Sequence, residues 1–294
     1  MTFLKAVSSR ILVSDGAWGT FLHAKGLKPG ECPELWNITR RDDVLDVAQA
    51  YINSGADTIE TNSFGGSSFK LGHYGLADRA AELNEAAAAI SKQAAGEERW
   101  VLGSIGPTGK ILMMGDVTED ELYESFSVQA QALERGGADA LVVETMSAID
   151  EASLAVKACK ENTDLPVICT FTFEQTVDGD YKTMMGVSPE QMVDSILALG
   201  VNVLGTNCGN GMKRMVDIIR IIKNQAPQTP LLVHANAGAP IIRDGQTVFP
   251  ETPEQMAELV PALIDAGANI IGGCCGTTPE HISAISNAVN RLRS

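Results

Sequence analysis

The chain has 294 residues, a formal net charge of -15 at pH 7, and apolar and charged fractions of 45% and 20%. These fractions are typical of a soluble globular protein, and the length suits one large domain or two small ones. The acidic charge excludes a nucleic-acid-binding protein, which needs basic surface to displace counterions. It equally disfavours binding to an anionic membrane surface.

The start of the chain and its cysteines indicate a cellular location. Met1–Arg10 lacks the apolar run with basic flanks that marks a signal peptide. No apolar stretch approaches the length of a membrane span. Six cysteines in a chain of this size, without an export signal, favour reduced thiols over a disulfide framework. We therefore expect a cytoplasmic protein without a membrane segment.

Short runs rich in Val, Ile and Leu recur along the chain and predict strands that are buried on both faces. Four of them follow a glycine corner at the end of a helical segment. In chain order the runs are Ile11–Asp15, Ser54–Glu60, Trp100–Ile105, Gly136–Glu144, Pro166–Phe171, Leu199–Gly205, Leu231–Ala235 and Ala266–Gly273.

Amphipathic stretches of helical length separate these runs. The clearest are Asp43–Ser54, Asp78–Ala95, Glu119–Arg135, Gln191–Leu199 and Met212–Asn224. Capping boxes with proline at the first helical position begin at Ser188 and Thr252. Eightfold strand–helix alternation predicts an α/β fold, a (β/α)8 TIM barrel, and a doubly wound open sheet is the alternative. Without a linker or low-complexity segment, residues 1–294 are expected to form a single domain.

Thiols occur at the ends of two predicted strands, where a barrel places its active site. Cys274 and Cys275 are adjacent, so they can share one target only if the strand becomes irregular, which the neighbouring glycines allow. Cys208 ends an alternate strand at a similar height. Three thiolates suit Zn²⁺ with an open fourth position; the alternative is three ordinary buried cysteines, the interpretation we also give to Cys32, Cys159 and Cys169.

Polar groups at other strand ends suggest a ligand. Glu144 lies as far from its corner glycine as Cys274 does from its own, so it should face the same layer and could hold an ammonium group. Asp15 opens D-G-A-W-G-T, where backbone N–H groups could bind a carboxylate. The alternatives are a corner glutamate and a tight turn. Asn236 is either a neighbour of the metal or a turn residue, and His234 is more typical of a core histidine.

The motifs D-G-A-W-G-T, E-T-N-S-F, G-S-I-G-P-T-G, V-E-T-M, T-N-C-G, N-A-G and G-G-C-C-G-T occur in this order at the predicted strand ends. Together they resemble the homocysteine S-methyltransferase family, which includes the homocysteine-binding barrel of cobalamin-dependent methionine synthase and the betaine–homocysteine methyltransferases. The resemblance runs from about Ile11 to Arg291, nearly the whole chain.

The resemblance implies a zinc-bearing barrel in which Cys208, Cys274 and Cys275 are the metal ligands and carry the catalysis. The D-G-A-W-G-T motif, with Asp15, Gly16, Ala17 and Thr20, would bind the homocysteine substrate together with Glu144, and Asn236 would lie beside the metal. Since the chain ends shortly after the barrel, a folate or corrinoid module is not expected within it.

The expected reaction is therefore methyl transfer to homocysteine, giving methionine, with methylcobalamin on a separate corrinoid-binding protein as donor. Betaine or S-methylmethionine could serve the same site without a protein partner. Two further alternatives are a subunit of a corrinoid demethylase system with another thiol acceptor, and a non-catalytic barrel with a structural cysteine cluster. The sequence predicts no oligomeric state.

Overall fold

A computed structural model describes residues 1–243 and 246–293 of the chain. In those ranges eight parallel strands form one sheet that curls into a (β/α)8 barrel, as the alternation predicted. The strands are β1 Leu12–Val13, β2 Thr58–Glu60, β3 Trp100–Ile105, β4 Ala140–Met146, β5 Val167–Phe171, β6 Val203–Asn207, β7 Leu231–Ala235 and β8 Ile270–Gly273. From β2 to β8 each strand pairs with the next strand in sequence, and β8 pairs with β1.

The barrel closes between β1 and β2 through a residue just before β2. The Asp57 N–H donates to the Val13 carbonyl oxygen at 2.7 Å, and the Val13 N–H donates back to the Asp57 carboxylate at 3.0 Å. Arg10 donates two further hydrogen bonds to the same carboxylate. Side-chain and backbone contacts therefore join the two outermost strands of the sheet.

Helices surround the barrel and account for most of the remaining described residues. The α-helices are Phe3–Ser9, Trp18–Ala24, Trp36–Thr39, Arg41–Asn53, Ser68–Gly72, Ala80–Ala95, Glu119–Arg135, Ile149–Asn162, Pro189–Leu197, Met212–Gln225, Pro253–Glu258, Val260–Ala266 and Pro279–Arg293, with 3-10 turns at Ala77–Arg79 and Leu112–Met114. Short antiparallel pairs, Glu174–Gln175 with Tyr181–Lys182 and Ile241–Arg243 with Gln246–Val248, follow β5 and β7. Nowhere in the described ranges is a helix long and apolar enough to cross a membrane.

The inside of the barrel changes from apolar at its base to polar at its top. At the base, side chains from the strands pack with the helix Phe3–Ser9, whose Phe3, Ala6 and Val7 are buried. Because side chains alternate along a strand, residues at even steps beyond this base layer also face inward. These upper inward positions are Ser14, Glu60, Ser104, Glu144, Thr170, Asn207 and His234, all of them buried.

Candidate active site

A cavity of about 390 Å³ opens at the carboxyl ends of the barrel strands. Such ends carry the active site in TIM-barrel enzymes. Most of the predicted site residues line the cavity: Gly16, Ala17, Thr20, Glu144, Cys208, Cys274 and Cys275. Asp15 and Asn236 are buried beside it, at 1% and 3% exposure, and are absent from its described lining. The structure thus brings all the predicted positions to one place.

The predicted thiols converge at this cavity. The sulfur atoms of Cys208, Cys274 and Cys275 all lie within 4.8 Å of one another, and Sγ of Cys208 is 3.8 Å from Sγ of Cys275. Strand β8 ends at Gly273, so both adjacent cysteines lie beyond its regular part. Their backbones are anchored to the segment at the end of β7, because the Cys274 N–H donates to Ala235 and the Ala237 N–H donates to Cys275.

Backbone conformation and hydrogen bonds also fix Cys208. Its φ of 61° lies in the left-handed region that non-glycine residues rarely adopt. Its N–H donates to the His234 carbonyl oxygen at 3.0 Å. The pKa of Cys208 is lowered because the Cys274 and Cys275 thiols can donate to its thiolate, and for the same reason the pKa of Cys274 is raised. Hydrogen bonds among the three thiols therefore favour the thiolate form of Cys208.

The thiol geometry fits a zinc ion. Tetrahedral zinc with Zn–S bonds of about 2.3 Å places its sulfur ligands roughly 3.8 Å apart, which is the separation observed between Cys208 and Cys275. The side chain of Asn236 lies beside this cluster and lowers the pKa of Cys208 by hydrogen bonding to its thiolate. A cluster of three cysteines thus fits a metal site with a remaining coordination position toward the cavity.

The other three cysteines lie elsewhere in the molecule. Cys32 is in a loop, Cys159 on the helix Ile149–Asn162 and Cys169 in β5, and all are buried. Burial raises the pKa of the Cys32 and Cys159 thiols to about 12 in each case. All three are buried and are absent from the described lining of the cavity, so they have the core role predicted for them.

Glu144 is held from two sides at the end of β4. Ser104 Oγ donates a short hydrogen bond to its Oε1, and Asn207 Nδ2 donates to its Oε2 at 3.2 Å. Burial and the nearby Glu60 raise the pKa of Glu144 well above its usual range. A carboxylate in this setting gains from a cationic ligand, because the cation offsets the cost of burying negative charge.

Comparison with known proteins identifies the family of this chain. The sequence profile of the homocysteine S-methyltransferase family matches residues 12–289. The chain belongs to the homocysteine S-methyltransferase family. This membership confirms the resemblance seen in the motifs and the prediction that the chain is a methyltransferase enzyme.

Two methionine synthases are similar to this chain along nearly its whole length. The methionine synthase of Mycobacterium tuberculosis (strain ATCC 25618 / H37Rv) is 32% identical over 308 residues, which cover 99% of this chain and 25% of the relative. The methionine synthase of Mycobacterium leprae (strain TN) is 31% identical over 98% of this chain and 25% of its own length. The chain therefore spans about a quarter of the length of these relatives.

Two solved structures of methyltransferases have the same fold. The metallated form of the homocysteine methyltransferase MmuM from Escherichia coli superposes with a TM-score of 0.77 at 23% identity, covering 97% of both chains. A methyltransferase from Methanosarcina mazei superposes with a TM-score of 0.64 at 11% identity, over 99% of this chain and 98% of the other. At these identities the likeness bears on the fold alone.

Three residues that the sequence analysis did not assign to the site lie at or next to the cavity. Glu60 and His234 line the cavity, and Asn207 contacts Glu144. His234 is 2% exposed, as expected for a core histidine, and its Nδ1 lies 3.4 Å from Oε1 of Glu60. The alternation of inward and outward side chains along a strand could have indicated these residues, since each lies at an inward position of its strand.

The methionines after β3 and β5 have exposed side chains. Met113, Met114 and Met184 are 81%, 76% and 86% exposed, rather than core or cavity-lining. They lie on loops that follow strands, and so on the face of the barrel that carries the cavity. Ile242, in the hairpin after β7, is exposed there as well.

Proposed function

We propose that this chain is a zinc-dependent enzyme that transfers a methyl group to the thiolate of homocysteine, giving methionine, and that residues 1–294 act as a single domain. The observation that carries the proposal is the convergence of three thiols, within 4.8 Å of one another, on a cavity that also holds Glu144. Family membership and the similarity of this chain to a quarter of two methionine synthases support it.

Cys208, Cys274 and Cys275 would hold the zinc ion. When bound, the metal would act as a Lewis acid and keep a coordinated thiol deprotonated at neutral pH, where a free alkyl thiol is only a few per cent thiolate. A general base on the protein is then unnecessary for methyl transfer. Asn236, next to the cluster, would help to orient Cys208 as a hydrogen-bond donor.

The rest of the cavity would bind the amino-acid end of homocysteine. Glu144 would receive the ammonium group, and the Gly16–Thr20 segment would lie against the carboxylate. The Ala17 N–H is already donated to Thr277 Oγ1 at 3.0 Å, so Ala17 would contribute as part of the wall, with Gly16 and Thr20 beside it. Asp15 would support this segment, because its carboxylate already accepts hydrogen bonds from Ser14 Oγ and Trp18 Nε1.

We further propose that the methyl donor is methylcobalamin on a corrinoid-binding partner, with Zn²⁺ as the resident metal. The exposed apolar side chains of Met113, Met114, Met184 and Ile242 are on the cavity face, where a protein donor would dock. Among the described lining residues only Trp18 and Phe64 are aromatic, too few for a cage around an onium donor. Both features favour a protein-borne donor over betaine or S-methylmethionine.

The test is methionine formation by the zinc-loaded chain from L-homocysteine, with methylcobalamin, betaine and S-methylmethionine supplied separately. Turnover with methylcobalamin supports the proposal, and turnover only with an onium donor replaces the donor but retains the acceptor. Cys208→Ala should lose both zinc and turnover, whereas Cys169→Ala, a matched change at a buried thiol away from the cavity, should retain both. Absence of turnover with every donor would contradict the homocysteine assignment.

A further inference from the structure

Thr277 joins two segments that the proposed function assigns to opposite ends of the substrate. Its Oγ1 donates a hydrogen bond to the carbonyl oxygen of Cys274 at 2.8 Å. The same Oγ1 accepts a hydrogen bond from the Ala17 N–H at 3.0 Å. Thr277 is 2% exposed and is absent from the described lining of the cavity. Its side chain therefore acts between the two segments rather than on a ligand.

The hydroxyl of Thr277 packs tightly against the backbone of both segments. A Cβ atom added at Gly16 would lie 2.7 Å from Thr277 Oγ1, and one added at Gly273 would lie 2.3 Å from it. Both distances are too short for a real contact, so glycine at these positions allows the close approach. The Gly273 N–H also donates to the Asp15 carbonyl oxygen at 2.8 Å. The end of β8 and the D-G-A-W-G-T motif are thus joined at two neighbouring points.

Tyr51 holds the same motif from the surrounding layer of helices. It lies on the helix Arg41–Asn53 and is fully buried. Its hydroxyl donates a hydrogen bond to the Ala17 carbonyl oxygen at 2.8 Å. Since Thr277 accepts from the N–H of Ala17, both backbone polar groups of that residue are engaged. Tyr51 therefore fixes Ala17 relative to the barrel, and Thr277 fixes it relative to Cys274.

The distance between these segments matters for a ligand that is bound at both ends. Once one end is bound, the other end meets its partner at an effective concentration that depends on how well the two sites are spaced. A misplacement of about 1 Å can reduce the rate of a reaction about 100-fold. Cys274 is a proposed zinc ligand, and Ala17 belongs to the wall around the amino-acid end. The Thr277 hydroxyl is the side chain that joins them directly.

We propose that Thr277 is a positioning residue, which fixes the spacing between the amino-acid end and the metal end of the site so that homocysteine engages both at once. Thr277 makes no contact with the substrate in this role. The inference rests on the proposed function, because it assumes that homocysteine spans the cavity with its thiol on the metal. It assigns a role to the threonine of the G-G-C-C-G-T motif that is distinct from metal binding.

The experiment is calorimetric titration of the zinc-loaded chain with three ligands. L-homocysteine engages both ends, L-2-aminobutyrate lacks the thiol, and 1-propanethiol lacks the amino and carboxylate groups. The product of the two one-ended dissociation constants, divided by that of L-homocysteine, gives the effective concentration. Thr277→Val keeps the side-chain shape and removes the hydroxyl. With zinc retained, it should weaken L-homocysteine binding about tenfold or more and change either one-ended ligand by less than about twofold.

Three further variants separate spacing from folding. Thr277→Ser retains the hydroxyl and should restore the effective concentration of the wild type. Thr206→Val makes the same change at a buried threonine whose Oγ1 has no partner among the described residues, so all three affinities should stay unchanged. Tyr51→Phe frees the Ala17 carbonyl oxygen without touching Cys274, and should lower the effective concentration by a smaller factor than Thr277→Val. It provides the same readout if Thr277→Val does not fold.

An unchanged effective concentration in Thr277→Val, or an equal weakening of all three ligands, would overturn the inference. Loss of zinc from the folded variant would overturn it as well, because Thr277 would then hold the metal ligands themselves. If the wild type still forms methionine in these cases, the proposed function stands and only the role of Thr277 is wrong. If the wild type neither binds L-homocysteine nor forms methionine, the proposed function fails and the inference fails with it.

Discussion

At the scale of single residues, the described chain has two non-glycine residues with positive φ, Thr145 at 60° and Cys208 at 61°. Both line the cavity. A β-branched residue in this region is an outlier that costs on the order of 1–3 kcal/mol, and such strain concentrates at functional sites. The positive φ of Cys208 turns its side chain toward the other two thiols. Thr145 accepts a hydrogen bond from Asn207, next to Glu144.

Replacement of Glu144 by glutamine should separate substrate binding from metal binding. The change keeps the shape and the hydrogen bond from Asn207 but removes the charge that would attract an ammonium group. We expect L-homocysteine affinity to fall about tenfold or more, with one zinc retained per chain, as measured by calorimetry and by metal analysis. Loss of zinc with intact L-homocysteine affinity would contradict this role.

The burial of Glu60 should make stability depend on pH. Burial raises the pKa of Glu60 from 4.5 to about 8. Between these values the unfolded chain ionises while the folded chain keeps its proton, so the free energy of unfolding decreases as pH rises from about 4.5 to 8. Below that window both states are protonated and the effect vanishes.

Because glutamine cannot ionise, Glu60→Gln should lose less stability than the wild type between pH 5 and pH 8. The difference between the two chains should change by about a few kcal/mol across the window. Urea unfolding of the zinc-free proteins at both pH values measures it. Parallel pH profiles of the two chains would show that Glu60 is not held protonated.

At the scale of elements, the ends of β4, β5 and β6 are joined by Asn207. Its Oδ1 accepts from the Thr145 N–H and from Thr170 Oγ1, and its Nδ2 donates to Thr145 Oγ1 and Glu144. The register of β4 against β5 shifts between Val143 and Met146. Bulges of this kind re-aim side chains near active sites, and Asn207 fixes the result.

Asn207→Ala should destabilise the folded protein by about 2–3 kcal/mol, because it leaves buried groups on two other strands, β4 and β5, unpaired. Urea denaturation measures the change. The matched variant Asn162→Ala, which removes an amide from the outer helix Ile149–Asn162, should cost less and leave L-homocysteine binding intact. An equal effect of the two variants on that binding would show that Asn207 does not position Glu144.

The sequence was most informative about elements with strong caps or strong periodicity. The helix Glu119–Arg135 has the predicted bounds, and the capping boxes at Ser188 and Thr252 form as expected. The short helices Trp18–Ala24, Trp36–Thr39 and Ser68–Gly72 were not predicted, since each is too short to show a helical period. Their positions depend on tertiary packing, such as that of Trp36–Thr39 against the helices Arg41–Asn53 and Ala80–Ala95.

At the scale of the whole molecule, the helix Phe3–Ser9 packs against the base of the barrel. Phe3 is 3% exposed and belongs to the same cluster as Leu102 and Ile168 of the inner wall. This end of the molecule is opposite the cavity. Stability at the base and chemistry at the top are therefore carried by separate residues.

Phe3→Ala should lower the free energy of unfolding by about 3–5 kcal/mol, the range for removing a buried phenylalanine side chain. Zinc content and L-homocysteine affinity at a temperature where the chain is folded should remain those of the wild type. Denaturation and metal analysis of one preparation give both values. A loss of zinc in the folded variant would contradict the separation of base and top.

The barrel could be predicted because its strands and glycine corners repeat along the chain, and the thiols because they end alternate strands. The surroundings of Glu60 could not, because its Oε1 has no hydrogen-bond partner among the described residues although His234 Nδ1 lies 3.4 Å away. Asp15 illustrates the same limit, since only the structure reveals that its carboxylate is engaged by Trp18 and the Glu60 N–H. Which polar groups are hydrogen-bonded can be determined only from the positions of their atoms.

The central claim is that three cysteines bind one zinc ion and leave a position for the substrate thiol. X-ray absorption at the zinc edge, recorded with and without L-homocysteine, tests it most directly. Our account predicts three sulfur neighbours and one lighter atom in the free protein, and four sulfur neighbours once L-homocysteine is added. An unchanged set of neighbours under saturating L-homocysteine would contradict the account.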